Sequence, residues 1–217
     1  MTILCIETST SVCSAAVCKD GSLIKQCINY EGSNHARLLP IYIEELLSFA
    51  REQHLSIDAV ALSEGPGSYT GLRIGASTAK GLCYGLNVPL IPVPTLEVLC
   101  EASGVKQGRL IPMIDARRME VYTMMDGETK AVVVENEDNL YAGDEEVYYF
   151  GDGAAKCQPV LTKPNWHYIP DIVPEAQYVG ALAESGKWKV ESVDLAYYEP
   201  FYLKEFIAAQ SHVKGLK

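Results

Sequence analysis

The sequence predicts a two-lobed α/β protein in which mixed sheets are flanked by helices and the second lobe is reduced. Short apolar runs alternate with helical patterns in the first half, and the same order begins again near residue 110. The 217 residues, 48% of them hydrophobic, suffice for two cores. We therefore predict a first lobe at residues 1–104 and a smaller second lobe at 105–217, with the boundary in the glycine-flanked segment 104–108.

The first lobe begins with three runs rich in Ile, Val, Ala and Cys, which are typical of an antiparallel meander. Apolar residues then recur every three or four positions, which predicts an amphipathic helix with Ser33 or Asn34 as its N-cap. Further strands and helices alternate after it, as in a mixed sheet covered by helices. The expected strands are 2–7, 14–18, 23–30, 58–63 and 89–93, and the expected helices are 34–53, 71–85 and 95–103.

The second lobe repeats the opening meander, with Asp126-Gly127 as a hairpin turn, and then becomes thinner. Its expected strands are 110–115, 120–125, 131–135, 147–150 and one near His167, followed by a short helix at 176–185. We interpret this half as a degenerate copy of the first.

Charge and cysteine content exclude several classes of protein. A net charge of -10 opposes binding to a phosphate backbone, because nucleic-acid affinity comes largely from Lys and Arg. Seven cysteines without CxxC spacing indicate neither disulfides nor a zinc site. The first apolar run follows no basic leader and is interrupted at once by Glu7, so we expect a cytoplasmic protein that does not associate with a membrane.

The densest motif is Ser-Glu-Gly-Pro-Gly-Ser-Tyr-Thr-Gly-Leu-Arg-Ile-Gly at residues 63–75, where a strand gives way to a helix. It lacks both the Walker ending and the dinucleotide spacing. Together with Ile-Glu-Thr-Ser-Thr at 6–10, it resembles the TsaB (YeaZ) family, paralogous to TsaD. The segments 111–122, 150–154 and 200–203 are also similar to that family. The resemblance implies an actin-like, ribonuclease H-like (ASKHA) fold.

The resemblance also implies a function without catalysis. TsaD holds a metal with an HxxxH pair after an Ile-Pro-Val strand; here that strand is present, but the two positions are Thr95 and Leu99. The expected role is the dimerisation subunit that binds and activates TsaD, which modifies adenosine 37 of tRNA to N6-threonylcarbamoyladenosine. TsaE is the implied third partner, tRNA is contacted only indirectly, and ATP and Mg²⁺ belong to the whole complex rather than to this chain.

Two predicted helices are the expected partner interface, which a homodimer would share. The helix at 71–85 has apolar residues on two stripes, and one stripe has small residues that contact either the chain's own sheet or a partner. Arg73 either anchors the rim of this interface or pairs with an internal carboxylate such as Glu64. The predicted interface comprises Leu39, Ile43, Leu46, Leu47, Leu72, Arg73, Gly75, Ala76, Ala79 and Leu82.

The hydroxyl-rich residues Thr8, Ser9 and Thr10 lie where relatives of this superfold contact ATP phosphates. They either retain that role or form a vestigial turn, and the missing second phosphate motif favours the turn. The alternatives to a TsaD-binding subunit are an ATP-binding small-molecule kinase or a peptidase-like enzyme of the same superfold, and a homodimer that acts without TsaD.

Overall fold

The computed structural model describes residues 1–32, 34–186 and 194–204. Its first sheet has the order β3-β2-β1-β4-β5. The first three strands form the predicted antiparallel meander, and the last two run parallel to β1. The strands are β1 (Thr2–Glu7), β2 (Cys13–Lys19), β3 (Ser22–Asn29), β4 (Ala59–Gly65) and β5 (Leu90–Pro94).

The second sheet repeats the first strand for strand. Its order, β8-β7-β6-β9-β10, has the same antiparallel meander and the same two parallel strands. The strands are β6 (Arg109–Asp115), β7 (Glu120–Met125), β8 (Glu128–Val133), β9 (Val147–Phe150) and β10 (Trp166–Ile169). The predicted fold class, two mixed sheets flanked by helices, is therefore confirmed. The start of β8 was predicted three residues too late, because the Asp126-Gly127 turn connects β7 and β8 directly.

Helices cover both faces of the first sheet, which explains why β1 is buried along its whole length. The side chains of Leu4 and Ile6 pack under α1 and α2, whereas Ile3 and Cys5 pack under α4 on the opposite face. This alternation follows the two-residue period of a strand. The helices are α1 (His35–Glu52), α2 (Tyr69–Leu86), α3 (Thr95–Ser103) and α4 (Ala176–Glu184).

Two segments that we assigned to the second lobe lie on the first instead. Helix α4 packs its buried residues on the first sheet, and Tyr198 is buried in the cluster beneath α1 and α2. Lys80 Nζ on α2 donates hydrogen bonds of 3.2 Å to the carbonyl oxygens of Ala196 and Tyr198. The physical reason is that β1 and its neighbours have a second apolar face, which α4 removes from water. The division at residue 104 otherwise remains a prediction.

The start of α1 differs from the predicted cap. Asn34 occupies the N-cap position, but its side chain makes no capping hydrogen bond. Ser33, the other predicted cap, lies outside the described residues. Among the residues that the structure describes, no helix combines the length and apolar composition needed to cross a membrane.

Two helical glycines test the packing of α4 on the first sheet. A Cβ atom at Gly180 would lie 2.4 Å from Cys18 Sγ and 3.0 Å from Cys5 Sγ, whereas one at Gly81 would meet nothing within 4 Å. Gly180→Ala should lower the free energy of unfolding by about 1–3 kcal/mol through overpacking. The matched control Gly81→Ala should raise it by about 0.5–1 kcal/mol, because alanine favours the helix. Urea denaturation measures both, and equal effects would contradict this packing.

Candidate partner interface

The turn after β1 is closed, and its hydroxyls bond within the chain. Thr8, Ser9 and Thr10 are all buried. Thr8 Oγ1 donates a 2.9 Å hydrogen bond to the carbonyl oxygen of Gly71, and Ser9 Oγ donates one of 2.5 Å to Glu7 Oε1. Thr10 Oγ1 accepts a backbone N–H of the same turn at 3.3 Å. In this arrangement each of the three hydroxyl groups is hydrogen-bonded to another atom of the chain.

The glycines of the 63–75 motif allow α2 to begin directly on this turn. A Cβ atom at Gly71 would lie 2.0 Å from the carbonyl oxygen of Thr8, and one at Gly75 would lie 2.3 Å from Thr8 Oγ1. The backbone N–H of Ser68 donates a 2.6 Å hydrogen bond to the carbonyl oxygen of Ser9. Ser68 also caps α2, since its side chain accepts a hydrogen bond from the N–H of Gly71. The motif therefore serves helix packing at this turn.

Glu7 is a fully buried carboxyl group beneath the turn. Its Oε1 atom accepts hydrogen bonds from the backbone N–H of Ser9 at 2.6 Å and from the Ser9 hydroxyl. Its Oε2 atom has no hydrogen-bond partner within the described residues. Burial raises the pKa of Glu7, and the neighbouring donors of Ser63 and Ser9 only partly oppose that shift.

The residues at the two positions of the TsaD metal pair do not fit a cation. Thr95 Oγ1 shares a 2.7 Å hydrogen bond with Ser63 Oγ and accepts another from the N–H of Gly65 at 3.0 Å. Leu99 is fully buried, in a cluster with Ile114 and Phe150 of the second sheet. Within residues 1–32, 34–186 and 194–204, no group of three or more His, Cys, Asp or Glu side chains is arranged to hold a metal ion.

Most of the predicted interface residues belong to the chain's own core. Leu39 and Leu46 of α1 and Leu72 and Ala79 of α2 are at most 1% exposed. The apolar stripes that we assigned to a partner are those that hold α1 and α2 to the first sheet, so this assignment needs correction. The core also includes Ile43, Gly75 and Ala76, while Leu47 and Leu82 are half-buried and Arg73 is exposed.

One open groove, of about 460 Å³, lies between α1 and α2. Its lining mixes apolar and polar side chains, which explains why apolar periodicity did not reveal it. The lining residues are Ala36, Pro40, Tyr69, Thr70, Arg73, Ile74, Ser77 and Thr78.

Arg73 stands at the side of this groove and faces an aromatic ring. Its guanidinium carbon lies 5.4 Å from the centroid of the Tyr69 ring, and its Nη1 atom donates a 3.4 Å hydrogen bond to the Tyr69 hydroxyl. The Tyr69 ring in turn lies 5.0 Å from that of Tyr202 in the segment 194–204. Of the two interpretations of Arg73, this geometry favours the position at the rim over a pair with Glu64.

A second groove, of about 420 Å³, lies between α2 and the segment 194–204 and shares Tyr69, Arg73 and Ser77 with the first. Together the two grooves form one continuous surface, which we call the α1–α2 surface. Tyr202 contributes to it from the far end of the chain. The sequence signal for Tyr202 was the family-like segment 200–203, but nothing in that segment indicated its position beside α2.

The two sheets have the same strand order, and each begins with a meander. Helices flank the first sheet on both faces. These features define a two-lobed α/β protein of the actin-like, ribonuclease H-like class. The chain belongs to the TsaB family. It is 34% identical over 231 residues to the tRNA threonylcarbamoyladenosine biosynthesis protein TsaB of Escherichia coli, with 96% of each chain covered. The TsaB of Bacillus subtilis is 36% identical over 124 residues, which are 57% of this chain and 54% of that protein.

Two further comparisons agree with this assignment. The family model described as TsaD: tRNA N6-adenosine threonylcarbamoyltransferase matches residues 29–150. The solved structure of YeaZ from Pseudomonas aeruginosa superposes with a TM-score of 0.72 at 26% identity, covering 93% of this chain and 99% of that one. Another Pseudomonas aeruginosa structure, described as similar to peptidase YeaZ, gives a TM-score of 0.75 at 26% identity, covering 94% and 99%.

Glu7 should make stability depend on pH. Because the pKa of Glu7 is raised above its ordinary value of 4.5 in the folded state, the folded protein binds more protons than the unfolded chain at pH values between the unfolded and the folded pKa. The contribution of Glu7 to the free energy of unfolding is therefore greatest at pH values below its unfolded pKa. It falls as the pH rises toward the folded pKa, by at most about 1.4 kcal/mol per pH unit. Urea unfolding of wild type and Glu7→Gln over a pH series measures the difference. A difference independent of pH would contradict a buried carboxyl with a raised pKa.

Proposed function

We propose that this chain is the non-catalytic dimerisation subunit of the complex that makes N6-threonylcarbamoyladenosine at position 37 of tRNA. In this role it binds TsaD and activates it. The proposal is supported by membership of the TsaB family and by the match of the TsaD model to residues 29–150, which include α1 and α2. Two paralogous chains that share this pair of helices can associate through the same face with approximate two-fold symmetry.

The observation that carries the proposal is that one side of α2 is closed by the chain itself, whereas the other side is open to a partner. Its inner side is closed on Thr8 and Ser9, where bound phosphates would need free hydroxyl or amide donors. Its outer side, with Arg73 and Ser77, remains open. This arrangement offers little for phosphoryl or metal chemistry and much for association with another protein.

The α1–α2 surface fits a helical partner. A stable interface of standard size buries about 800 Å² on each side, which two helices can supply. Ile74 and Tyr69 offer apolar and aromatic contacts in the middle, and the Arg73 guanidinium can donate charge-assisted hydrogen bonds at the side. A homodimer would use the same surface and would therefore compete with TsaD. The proposal also includes TsaE as the third partner and the cytoplasm as the place where the complex acts.

Modification activity tests the role in activation. Purified TsaD, its upstream synthase, TsaE and tRNA should form threonylcarbamoyladenosine at least tenfold faster when this chain is added.

Ser77→Arg fills the groove from an exposed position on α2. It should weaken TsaD binding by at least tenfold, about 1.4 kcal/mol, with a matching loss of activity. Calorimetric titration and nucleoside analysis of the tRNA provide the two measurements.

The matched control is Ser56→Arg, which adds the same side chain at an exposed position after α1. It should leave both TsaD binding and activity at the wild-type level. Equal binding by wild type and Ser77→Arg would contradict the α1–α2 surface as the interface. Full tRNA modification without this chain would contradict the proposed function itself.

The isolated chain should not bind ATP tightly. The hydroxyls of Thr8 and Ser9 are already bonded within the chain, so a phosphate group would have to replace those hydrogen bonds. Calorimetric titration of ATP with Mg²⁺ should therefore give no saturable heat at micromolar protein. Tight binding that depends on Mg²⁺ would favour the alternative of a small-molecule kinase.

A further inference from the structure

The first two strands of each sheet are joined by equivalent turns, but only the turn of the first sheet is covered by a long helix. The turn after β1 lies beneath α2, an 18-residue helix that follows β4. The equivalent turn joins β6 and β7 at residues 116–119, and between β9 and β10 the chain forms only the three-residue 3₁₀ helix Ala155–Cys157. The loop after β9 still contacts the end of β6, where Asp115 N donates a 2.9 Å hydrogen bond to Asp152 Oδ1. The tip of the second turn, however, stays exposed.

Two adjacent arginines occupy this tip in a conformation that arginine rarely adopts. Arg117 has a φ angle of 73° and Arg118 one of 51°, and both side chains are exposed. Hairpin turns with two such residues strongly favour Asn and Gly, because a Cβ atom makes left-handed backbone unfavourable. Folding alone would therefore favour Asn or Gly here, and strained backbone of this kind concentrates at functional sites.

The charges around the tip leave both arginines available. Lys156 Nζ pairs with the Asp115 carboxylate and donates a 2.7 Å hydrogen bond to the carbonyl oxygen of Glu120. The Glu120 carboxylate pairs with Lys204 at 2.5 Å. The two carboxylates that flank the turn are thus neutralised by lysines. Neither arginine forms an ion pair with any of the residues in 1–32, 34–186 and 194–204.

We propose that Arg117 and Arg118 bind backbone phosphates of the RNA substrate directly, in place of the indirect contact expected from the resemblance; the inference rests on the proposed function. The guanidinium group presents a planar set of donors that matches two phosphate oxygens. The exposed residues of 115–120 are all charged, whereas a protein interface at this place would need an apolar centre. These features favour a polyphosphate backbone over an acidic protein surface as the ligand.

This local site is compatible with the overall negative charge. At a net charge of -10 the isolated chain is repelled by RNA, so two arginines cannot hold it there alone. In a complex whose other subunits bind tRNA, the same two residues add contacts at one edge. Each phosphate contact changes the slope of log affinity against log salt concentration by about one.

The test uses the assembled complex of this chain with TsaD and an unmodified tRNA transcript. Fluorescence anisotropy over a salt series gives the affinity and its salt slope. The variant R117N/R118N removes both charges but suits the left-handed backbone, so its Tm should equal or exceed that of wild type. Its complex should bind tRNA about tenfold more weakly or worse near 0.1 M salt, with a slope smaller by about two. R117K/R118K, which keeps the charges, should retain the wild-type slope.

The matched control is K19N/K106N, which removes two exposed lysines near the opposite ends of the sheets and should leave affinity and slope unchanged. A wild-type slope for R117N/R118N would overturn the inference. Loss of TsaD binding by that variant would also overturn it, because the arginines would then face protein. Failure of the wild-type chain to assemble with TsaD, seen by size-exclusion chromatography, would contradict the proposed function and this inference with it.

Discussion

Helix α2 lies so close to the turn after β1 that the side of the helix facing Thr8 has no room for a side chain. At Gly71 and Gly75 the added Cβ would come within 2.3 Å of Thr8 atoms. This contact has three consequences for the rest of the molecule. It engages the Thr8 hydroxyl, it covers the turn beneath which Glu7 is buried, and it fixes the rotation of α2 about its axis. The last of these decides which side of α2 faces outward.

The sequence identified the strands and helices well, because their periods are strong and their turns are marked. The strand Thr2–Glu7 and the helix Thr95–Ser103 agree with the prediction at both ends. Asp126-Gly127 is recognised as a turn, but the predicted strand after it begins too late because β8 follows the turn directly with three polar residues before its apolar ones. Local pattern thus predicts most of the elements, and the internal repeat predicts that the second lobe again begins with an antiparallel meander.

The candidate site was much harder to predict. An apolar stripe such as Leu39, Ile43 and Leu46 indicates that a helix face is covered, but it does not say whether sheet or partner covers it. In this chain the sheet does. The open groove is lined by small and polar residues such as Thr70 and Ser77, whose spacing resembles that of any exposed helix. Tyr202 reaches α2 through a long-range contact that periodicity does not describe. Of the ten predicted interface residues, Arg73 and the largely buried Ala76 line the two open grooves.

Helix α3 shows how core packing can leave no room for a metal ligand. Leu99 lies at a position where the resemblance to TsaD implies a histidine, and it packs with Leu96, Ile114 and Phe150 between the two sheets. A histidine restored at this position would lose apolar contacts and bring polar nitrogens into a cluster that offers them no partner. Leu99 is thus part of the joint between the two sheets. A ligand introduced at this position would weaken the contact that holds the sheets together.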